Sequence, residues 1–233
     1  MNAWKGKKWY CYGTSLTAPT ISKGNIGIRV DGTPYQGRMG YYAEHLAALS
    51  GMEEHNFGLG GVGIVPSLYP LDNNKMRTMR LDDGKCEADL ITLEVIPNDF
   101  LRAPLGELSD RGDDTFLGNL NQIIEFLLKN TRAQVVILIA TRQRYSHPDI
   151  SQKLAPGSEH LKERIKWEKA VEDVCYMHGI PCFNAARGAG IGYYRVENDN
   201  GKYYNDQIHI ANAGGLAVAK YFFAELQRIY PLD

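Results

Sequence analysis

Two separated stretches of the sequence carry the residue types of nucleophilic catalysis. Ser15 stands in the run GTSLT (13–17), just past a glycine that ends an apolar, aromatic segment. A serine is a weak nucleophile unless a base takes its proton, so one of the six histidines would have to reach it. His209 is the strongest candidate because Asp206 precedes it by three residues, and residues three apart can meet on one face of a turn. An aspartate that orients a histidine beside a serine is the logic of a catalytic triad.

Two further stretches could stabilise negative charge. The run NFGLGGVG (56–63) is a glycine-rich turn that could expose a backbone N–H to an oxyanion, and Asn98 in IPND (96–99) could offer its side-chain amide. Both stretches also have structural interpretations, a tight turn with positive φ and an Asx-turn. A phosphate or nucleotide site at the glycine turn is a third interpretation. It is disfavoured because neither a P-loop nor a Rossmann fingerprint is present.

The elements around these stretches predict where they lie. Predicted strands alternate with predicted helices, which favours a parallel sheet covered on both faces, in one domain spanning residues 1–233. In such a sheet, ligands bind beyond the carboxyl ends of the strands. Ser15, the glycine turn and Asn98 follow the first three strands, and His209 precedes the last helix. The predicted strands are residues 8–12, 54–57, 88–95, 134–140 and 181–184, and the predicted helices are residues 41–50, 115–131, 158–178 and 211–229.

The order of the four stretches resembles that of the SGNH hydrolases, also called GDSL-type esterases and lipases. The blocks of that family look like GDSL, N-x-G-x-x-G, G-x-N-D and D-x-x-H. The resemblance implies a three-layer α/β/α sandwich with a flavodoxin-like, five-stranded parallel sheet, and it covers the chain from Gly13 to the final helix. The corresponding blocks here are GTSL (13–16), NFGLGG (56–61), IPND (96–99) and DQIH (206–209).

The resemblance also implies a role for each block. The family hydrolyses esters, including acetylated sugars and lipids, through a serine nucleophile and without a metal or other cofactor. Carried over residue by residue, the catalytic residues are Ser15, Asp206 and His209. The oxyanion donors are the N–H groups of Ser15 and Gly61 and the amide of Asn98, with the adjacent Gly60 as an alternative to Gly61.

The tyrosine-rich segment before the Asp–His pair bears on the substrate. Tyr193, Tyr194, Tyr203 and Tyr204 could contact sugar rings, or they could simply pack the loop. No long apolar loop suggests a lid for long-chain lipids. We therefore expect a serine esterase acting on a small-molecule or carbohydrate ester with a short acyl group such as acetyl.

Two departures from the family blocks favour a different function. Thr14 replaces the aspartate that follows the first glycine, so the hydrogen bonds near Ser15 must differ. Ile96 replaces the glycine of the third block, and a branched side chain is not expected where φ is positive, which predicts a differently shaped loop around Asn98. These departures are the basis of the alternative prediction, a catalytically inactive carbohydrate-binding protein on the same fold.

Composition argues against several other classes of protein. The net charge is -1 and no long basic run is present, so a nucleic-acid binder is not expected. No segment approaches the roughly 20 apolar residues of a membrane span. The first ten residues lack an apolar stretch of signal-peptide type, which predicts either a cytoplasmic protein or an exported one whose leader has been removed. The four cysteines have no zinc-ligand spacing, and we expect free thiols, with a Cys175–Cys182 disulfide as an alternative.

Overall fold

The computed structural model describes residues 3–18, 26–28, 34–36, 42–65, 86–100, 102–142, 154–192, 202–204 and 208–229. These ranges contain seven strands and five helices. In chain order the elements are β1 (Lys8–Tyr12), β2 (Ile26–Ile28), β3 (Pro34–Gln36), α1 (Tyr42–Ser50), β4 (Glu53–Asn56), β5 (Leu90–Val95), α2 (Phe116–Asn130), β6 (Gln134–Ile139), α3 (Glu159–His178), β7 (Cys182–Asn184), α4 (Ala185–Gly188) and α5 (Asn212–Ile229).

Five of the strands form one parallel sheet in the order β4-β1-β5-β6-β7. Trp9 of β1 pairs with Leu90 of β5, and Leu90 pairs in turn with Gln134 of β6. This is the flavodoxin-like order, in which the chain reverses direction across the sheet between β1 and β5. The predicted α/β fold class is therefore confirmed. All five carboxyl ends meet at one edge, which is where the predicted site residues follow β1, β4 and β5.

The sheet is covered on both faces, because alternate residues of each central strand enter different cores. Ile91 and Leu93 of β5 pack in a core that includes buried residues of α2 and α3. Leu90 of the same strand packs in a second core, which includes buried residues of α1 and α5. The near-continuous apolar run of β5 follows from this double coverage, and the result is the predicted three-layer arrangement.

The long helices begin and end close to where the sequence predicts. The Thr115 side chain accepts a hydrogen bond from Gly118 N at the start of α2, and Ser158 accepts one from Leu161 N at the start of α3. Gly179 follows α3 with φ of 67°, the left-handed conformation of a C-terminal glycine cap. Side-chain caps and a cap glycine are local signals, so the sequence locates these ends to within about two residues.

Two features were not predicted. Strands β2 and β3 form a separate antiparallel pair within a region interpreted as a loop, and α4 follows β7 directly. Each strand of the pair has only three residues, IGI and PYQ, which is too short for an alternating pattern to appear. Within the described ranges, neither feature carries a residue of the predicted site.

The structure also bears on the other classes considered. All four cysteines are free, so the Cys175–Cys182 disulfide is not formed. None of the helices in the described part of the chain has the length and apolar character needed to cross a bilayer. Among the same residues, no three His, Cys, Asp or Glu side chains are grouped as metal ligands would be.

Candidate active site

The hydroxyl of Ser15 and the imidazole of His209 meet at the carboxyl edge of the sheet. Ser15 Oγ lies 3.1 Å from His209 Nε2, across a sequence separation of 194 residues. Both residues are only partly buried, so a substrate could reach them. If Nε2 carries no proton, the hydroxyl donates to it. This is the geometry in which a histidine can take the serine proton as a bond to carbon forms.

Ser15 belongs to a tight helical turn immediately after β1. The N–H groups of Thr17 and Ala18 both donate to the Thr14 carbonyl, at 3.1 and 3.0 Å. Gly13 allows this turn for steric reasons, since a Cβ there would lie 2.2 Å from Thr17 Oγ1. The N–H of Ser15 has no hydrogen-bond partner among the described residues.

His209 lies in the loop that leads into α5. Its neighbour Ile210 forms an isolated antiparallel bridge with Tyr204, and the Tyr204 hydroxyl donates to the Arg142 carbonyl at 2.6 Å. These contacts connect the histidine loop to Arg142, three positions after the end of β6. Asp206, the predicted third member of the triad, lies outside the described residues, so its orientation relative to His209 stays a prediction.

The glycine turn is joined directly to the serine turn. Asn56 Nδ2 donates to the Thr17 carbonyl at 2.8 Å, and its Oδ1 accepts from the Gly58 N–H at 2.9 Å. A Cβ built on Gly60 would lie 3.8 Å from Ser15 Cβ, so this turn borders the serine. Gly61 has φ of 77°, a conformation that favours glycine, and its N–H has no partner among the described residues.

Asn98 and Asp99 fix the glycine turn from the other side. Asn98 is buried, and its Nδ2 donates one hydrogen to the Val62 carbonyl at 2.6 Å. Asp99, also buried, accepts from the N–H groups of Ile64 and Val65 at 3.0 to 3.1 Å. The Val62 contact uses one of the two hydrogens of the amide and holds the Asn98 side chain in place.

Comparison with known proteins identifies the fold. No protein-family model and no curated protein matches the sequence. A protein of known structure from Lactobacillus plantarum is 21% identical, with a TM-score of 0.71 over 97% of this chain and 99% of that one. A possible lipase from Chitinophaga pinensis is 16% identical, with a TM-score of 0.65 over 96% and 98%. A carbohydrate acetylesterase from Sinorhizobium meliloti is 15% identical, with a TM-score of 0.65 over 96% and 100%.

The chain has the fold of the SGNH hydrolases. The resemblance found in the four sequence blocks is thus confirmed at the level of the fold. At 15 to 21% identity the comparisons do not extend to substrate or activity, which must be argued from the site.

One expectation about the third block is wrong. Ile96 occupies the glycine position of the SGNH block and was not expected to tolerate positive φ, yet its φ is 90°. Its side chain is fully buried in the core shared with α2 and α3. The loop therefore keeps a glycine-like backbone in spite of a branched residue. Burial of the side chain offsets a strain of roughly 1–3 kcal/mol.

This strain predicts an unusual order of stability between two variants. Ile96→Gly and Ile96→Ala both empty the buried site, but only alanine keeps a Cβ at positive φ. We expect Ile96→Gly to be the more stable by about 1 kcal/mol, measured by urea unfolding. Ile91, buried in β5, provides the matched control, because there glycine should be less stable than alanine by roughly 0.5–1 kcal/mol. The same order at both positions would contradict strain at Ile96.

Sequence reasoning missed one polar residue beneath the candidate site. Glu94 is fully buried in β5, and its Oε2 accepts hydrogen bonds from the N–H and hydroxyl of Thr14, both at 2.8 Å, and from the Thr17 hydroxyl at 3.1 Å. Thr14 therefore forms hydrogen bonds to a buried carboxyl group at the position where the family has an aspartate. The available signal was a glutamate inside an apolar strand covered on both faces, where an ionisable side chain is costly without partners.

The tyrosines near His209 have different environments. Tyr204 is fully buried and its hydroxyl is bonded to the Arg142 carbonyl, so the prediction that it could contact a sugar is wrong and its packing role holds. Tyr203 is partly exposed, with the Lys202 ammonium 5.4 Å from its ring centroid. Tyr193 and Tyr194 lie outside the described residues. Of the four, Tyr203 is the described tyrosine with a surface that a ligand could contact.

Proposed function

We propose that this protein is a serine esterase that hydrolyses carboxylic esters through an acyl-enzyme. The observation that carries the proposal is the 3.1 Å contact between Ser15 Oγ and His209 Nε2, at the edge of the sheet where ligands bind in such folds. The proposal is supported by the N–H groups of Ser15 and Gly61, which have no partner in the part of the chain that the structure describes, and by the amide of Asn98, because acyl transfer needs donors where an oxyanion develops.

In the first half-reaction, His209 takes the Ser15 proton as Oγ attacks the carbonyl carbon of the ester. The carbonyl electrons move to oxygen, and the resulting oxyanion is held by Ser15 N–H, Gly61 N–H and the amide of Asn98. The intermediate then collapses, the bond to the alcohol oxygen breaks, and His209 gives its proton to the departing alcohol. The product of this half-reaction is an ester of Ser15 with the acyl group.

In the second half-reaction, water replaces the alcohol. His209 removes a proton from the water, whose oxygen attacks the acyl carbon, and the same donors hold the oxyanion. Collapse returns the proton to Ser15 Oγ and releases the carboxylic acid. Asp206 is proposed to hold the other imidazole nitrogen throughout, which favours the tautomer with an unprotonated Nε2 and stabilises the imidazolium.

For the substrate we propose a short acyl group, such as acetyl, on a carbohydrate. The carbohydrate acetylesterase from Sinorhizobium meliloti has the same fold over nearly the full length of both chains. The partly exposed ring of Tyr203 close to the histidine loop suits a sugar face.

An inactive carbohydrate-binding protein on this fold is the second candidate. The features that favour it are Thr14 and Ile96, the two departures from the family blocks. Thr14 is bonded to Glu94 through both its N–H and its hydroxyl, and Ile96 adopts the positive φ of the glycine that it replaces. Neither substitution therefore gives a physical reason for inactivity, and we rank the esterase first.

Labelling with a fluorophosphonate probe tests the proposal directly. We expect mass spectrometry to place the label on Ser15, and Ser15→Ala to lose both the label and the hydrolysis of p-nitrophenyl acetate. A series of p-nitrophenyl esters should show rates that fall as the acyl chain lengthens. An unlabelled wild type without Ser15-dependent turnover would favour the inactive binder. Rates that rise steadily with chain length would contradict the short acyl group.

A further inference from the structure

Glu94 is a buried ionisable residue beneath the serine turn. It comes from the central strand β5 and is 1% exposed. One oxygen, Oε2, accepts all three of its hydrogen bonds: from the Thr14 N–H, the Thr14 hydroxyl and the Thr17 hydroxyl. These donors lie on either side of Ser15 in the chain. A Cβ on Gly13 would lie 2.7 Å from the same oxygen, so the carboxylate fills the space that the glycine leaves.

The serine turn is also tied to the helix beneath it. The Thr17 hydroxyl lies 3.0 Å from the hydroxyl of Tyr42, which is buried in α1. The Thr14 hydroxyl accepts from the Leu16 N–H at 3.2 Å. A chain of hydrogen bonds therefore runs from Glu94 of β5 through Thr17 to Tyr42 of α1, and Thr14 joins Glu94 to the backbone of the serine turn.

From this arrangement we propose that Glu94 is a positioning residue that holds Ser15 Oγ in line with His209 through Thr14 and Thr17. The inference rests on the proposed function, because it concerns the same nucleophile. Glu94 does not touch the site of reaction. Its effect should therefore be on the rate of attack by Ser15 and not on the affinity for the ester.

The second carboxyl oxygen of Glu94 could be hydrogen-bonded by a buried water molecule. Glu94 Oε1 and the hydroxyl of Thr141 are both buried, and neither has a hydrogen-bond partner among the described residues. Both residues line a small cavity of about 10 Å³, whose wall also contains Leu16 and Ile210, the neighbours of Ser15 and His209. A water molecule held between the two polar atoms would satisfy both, since buried water occupies sites of this kind.

The hydrogen bonds from Thr14 and Thr17 to Glu94 Oε2 do not require that the carboxyl group be ionised. Burial raises the pKa of Glu94 to about 7, an effect opposed by the hydrogen bonds from Thr14 and Thr17 and by the positive charge of Arg164 in α3. Tyr42 faces the group from α1 and Arg164, itself paired with Glu168, faces it from α3. Because Oε2 accepts three hydrogen bonds, a neutral Glu94 would carry its proton on Oε1, and the contacts to the turn would persist in both states.

Three variants of Glu94 and its partner separate positioning from packing. Glu94→Leu removes the acceptor at similar volume, and we expect kcat and the rate of fluorophosphonate labelling to fall on the order of 100-fold with KM unchanged. Glu94→Gln keeps an acceptor oxygen towards the turn and should restore most of that rate. If Glu94→Leu does not fold, Thr14→Val should still slow labelling about 10-fold, with Thr14→Ser as the rescue.

The outcomes distinguish the two proposals. Slow labelling of Glu94→Leu or Thr14→Val, rescued by Glu94→Gln or Thr14→Ser, supports the positioning role. Labelling of Ser15 at the same rate in wild type, Glu94→Leu and Thr14→Val overturns it and leaves the esterase proposal intact. A wild-type protein that does not label at Ser15 overturns the esterase proposal, and the positioning role falls with it.

A pH series on stability tests the buried environment independently of activity. The pKa of Glu94 rises on folding from 4.5 to about 7, so the folded state holds a proton that the unfolded state releases. The stability contributed by that proton is lost as pH rises through this window. The melting temperature of wild type relative to Glu94→Gln should therefore fall between about pH 5 and pH 8. A constant difference would contradict the raised pKa of Glu94 in the folded state.

Discussion

Ser15→Ala, His209→Ala and the double variant should lower kcat for ester hydrolysis by about the same factor, on the order of 10⁴ to 10⁶. The reason is that the two side chains act as one unit. Ser15 without a base is a weak nucleophile, and His209 without the hydroxyl has no proton to move. Removing the second member of the pair therefore costs little once the first is gone. The 3.1 Å contact between Oγ and Nε2 is the structural basis of this expectation.

The measurement is steady-state hydrolysis of p-nitrophenyl acetate by the two single variants and the double variant, each checked for folding by circular dichroism. His178→Ala is a suitable control, because this histidine contacts Asn121 Oδ1 at the far end of α3 and should leave kcat unchanged. Losses that multiply in the double variant would mean that Ser15 and His209 act in separate steps, which contradicts a nucleophile–base pair.

Asn98→Ala should lower kcat by about 100- to 1000-fold while changing KM little. A donor aimed at the oxyanion contributes mainly in the transition state, where the negative charge has formed. Asn98 suits this role because its amide is buried at the sheet edge and already oriented by the Val62 carbonyl. The donor is therefore held in place before the reaction and needs little reorganisation as charge develops.

A second buried asparagine controls for the structural part of this effect. The Asn121 side chain in α2 donates to the carbonyls of Leu108 and Asp110, away from the serine. Asn121→Ala should lose stability comparable to that lost by Asn98→Ala and retain wild-type kcat. If Asn98→Ala retains wild-type kcat/KM, or if both variants lose rate equally, the amide of Asn98 does not act on the oxyanion.

Much of the fold could be predicted because its signals are local. The apolar runs of β1, β5 and β6 and the caps Thr115, Ser158 and Gly179 mark elements within a few residues of sequence. Alternation of strands and helices then restricts the topology to a parallel, doubly covered sheet. The strands of the β2–β3 pair have three residues each and leave no such pattern, and for that reason the pair was missed.

The residues of the candidate site were likewise predictable where their signals are local, and their contacts were not. By itself the sequence determined which residue types stand at the ends of which strands, and so named Ser15, Asn98 and His209 as candidates, because block order and spacing are properties of the chain. Only the tertiary structure decided that Ser15 meets His209 and that Ile96 adopts positive φ. It also decided that Glu94 supports the serine turn. These facts depend on contacts between segments about 80 to 194 residues apart and on the balance of burial against strain, which no local pattern records.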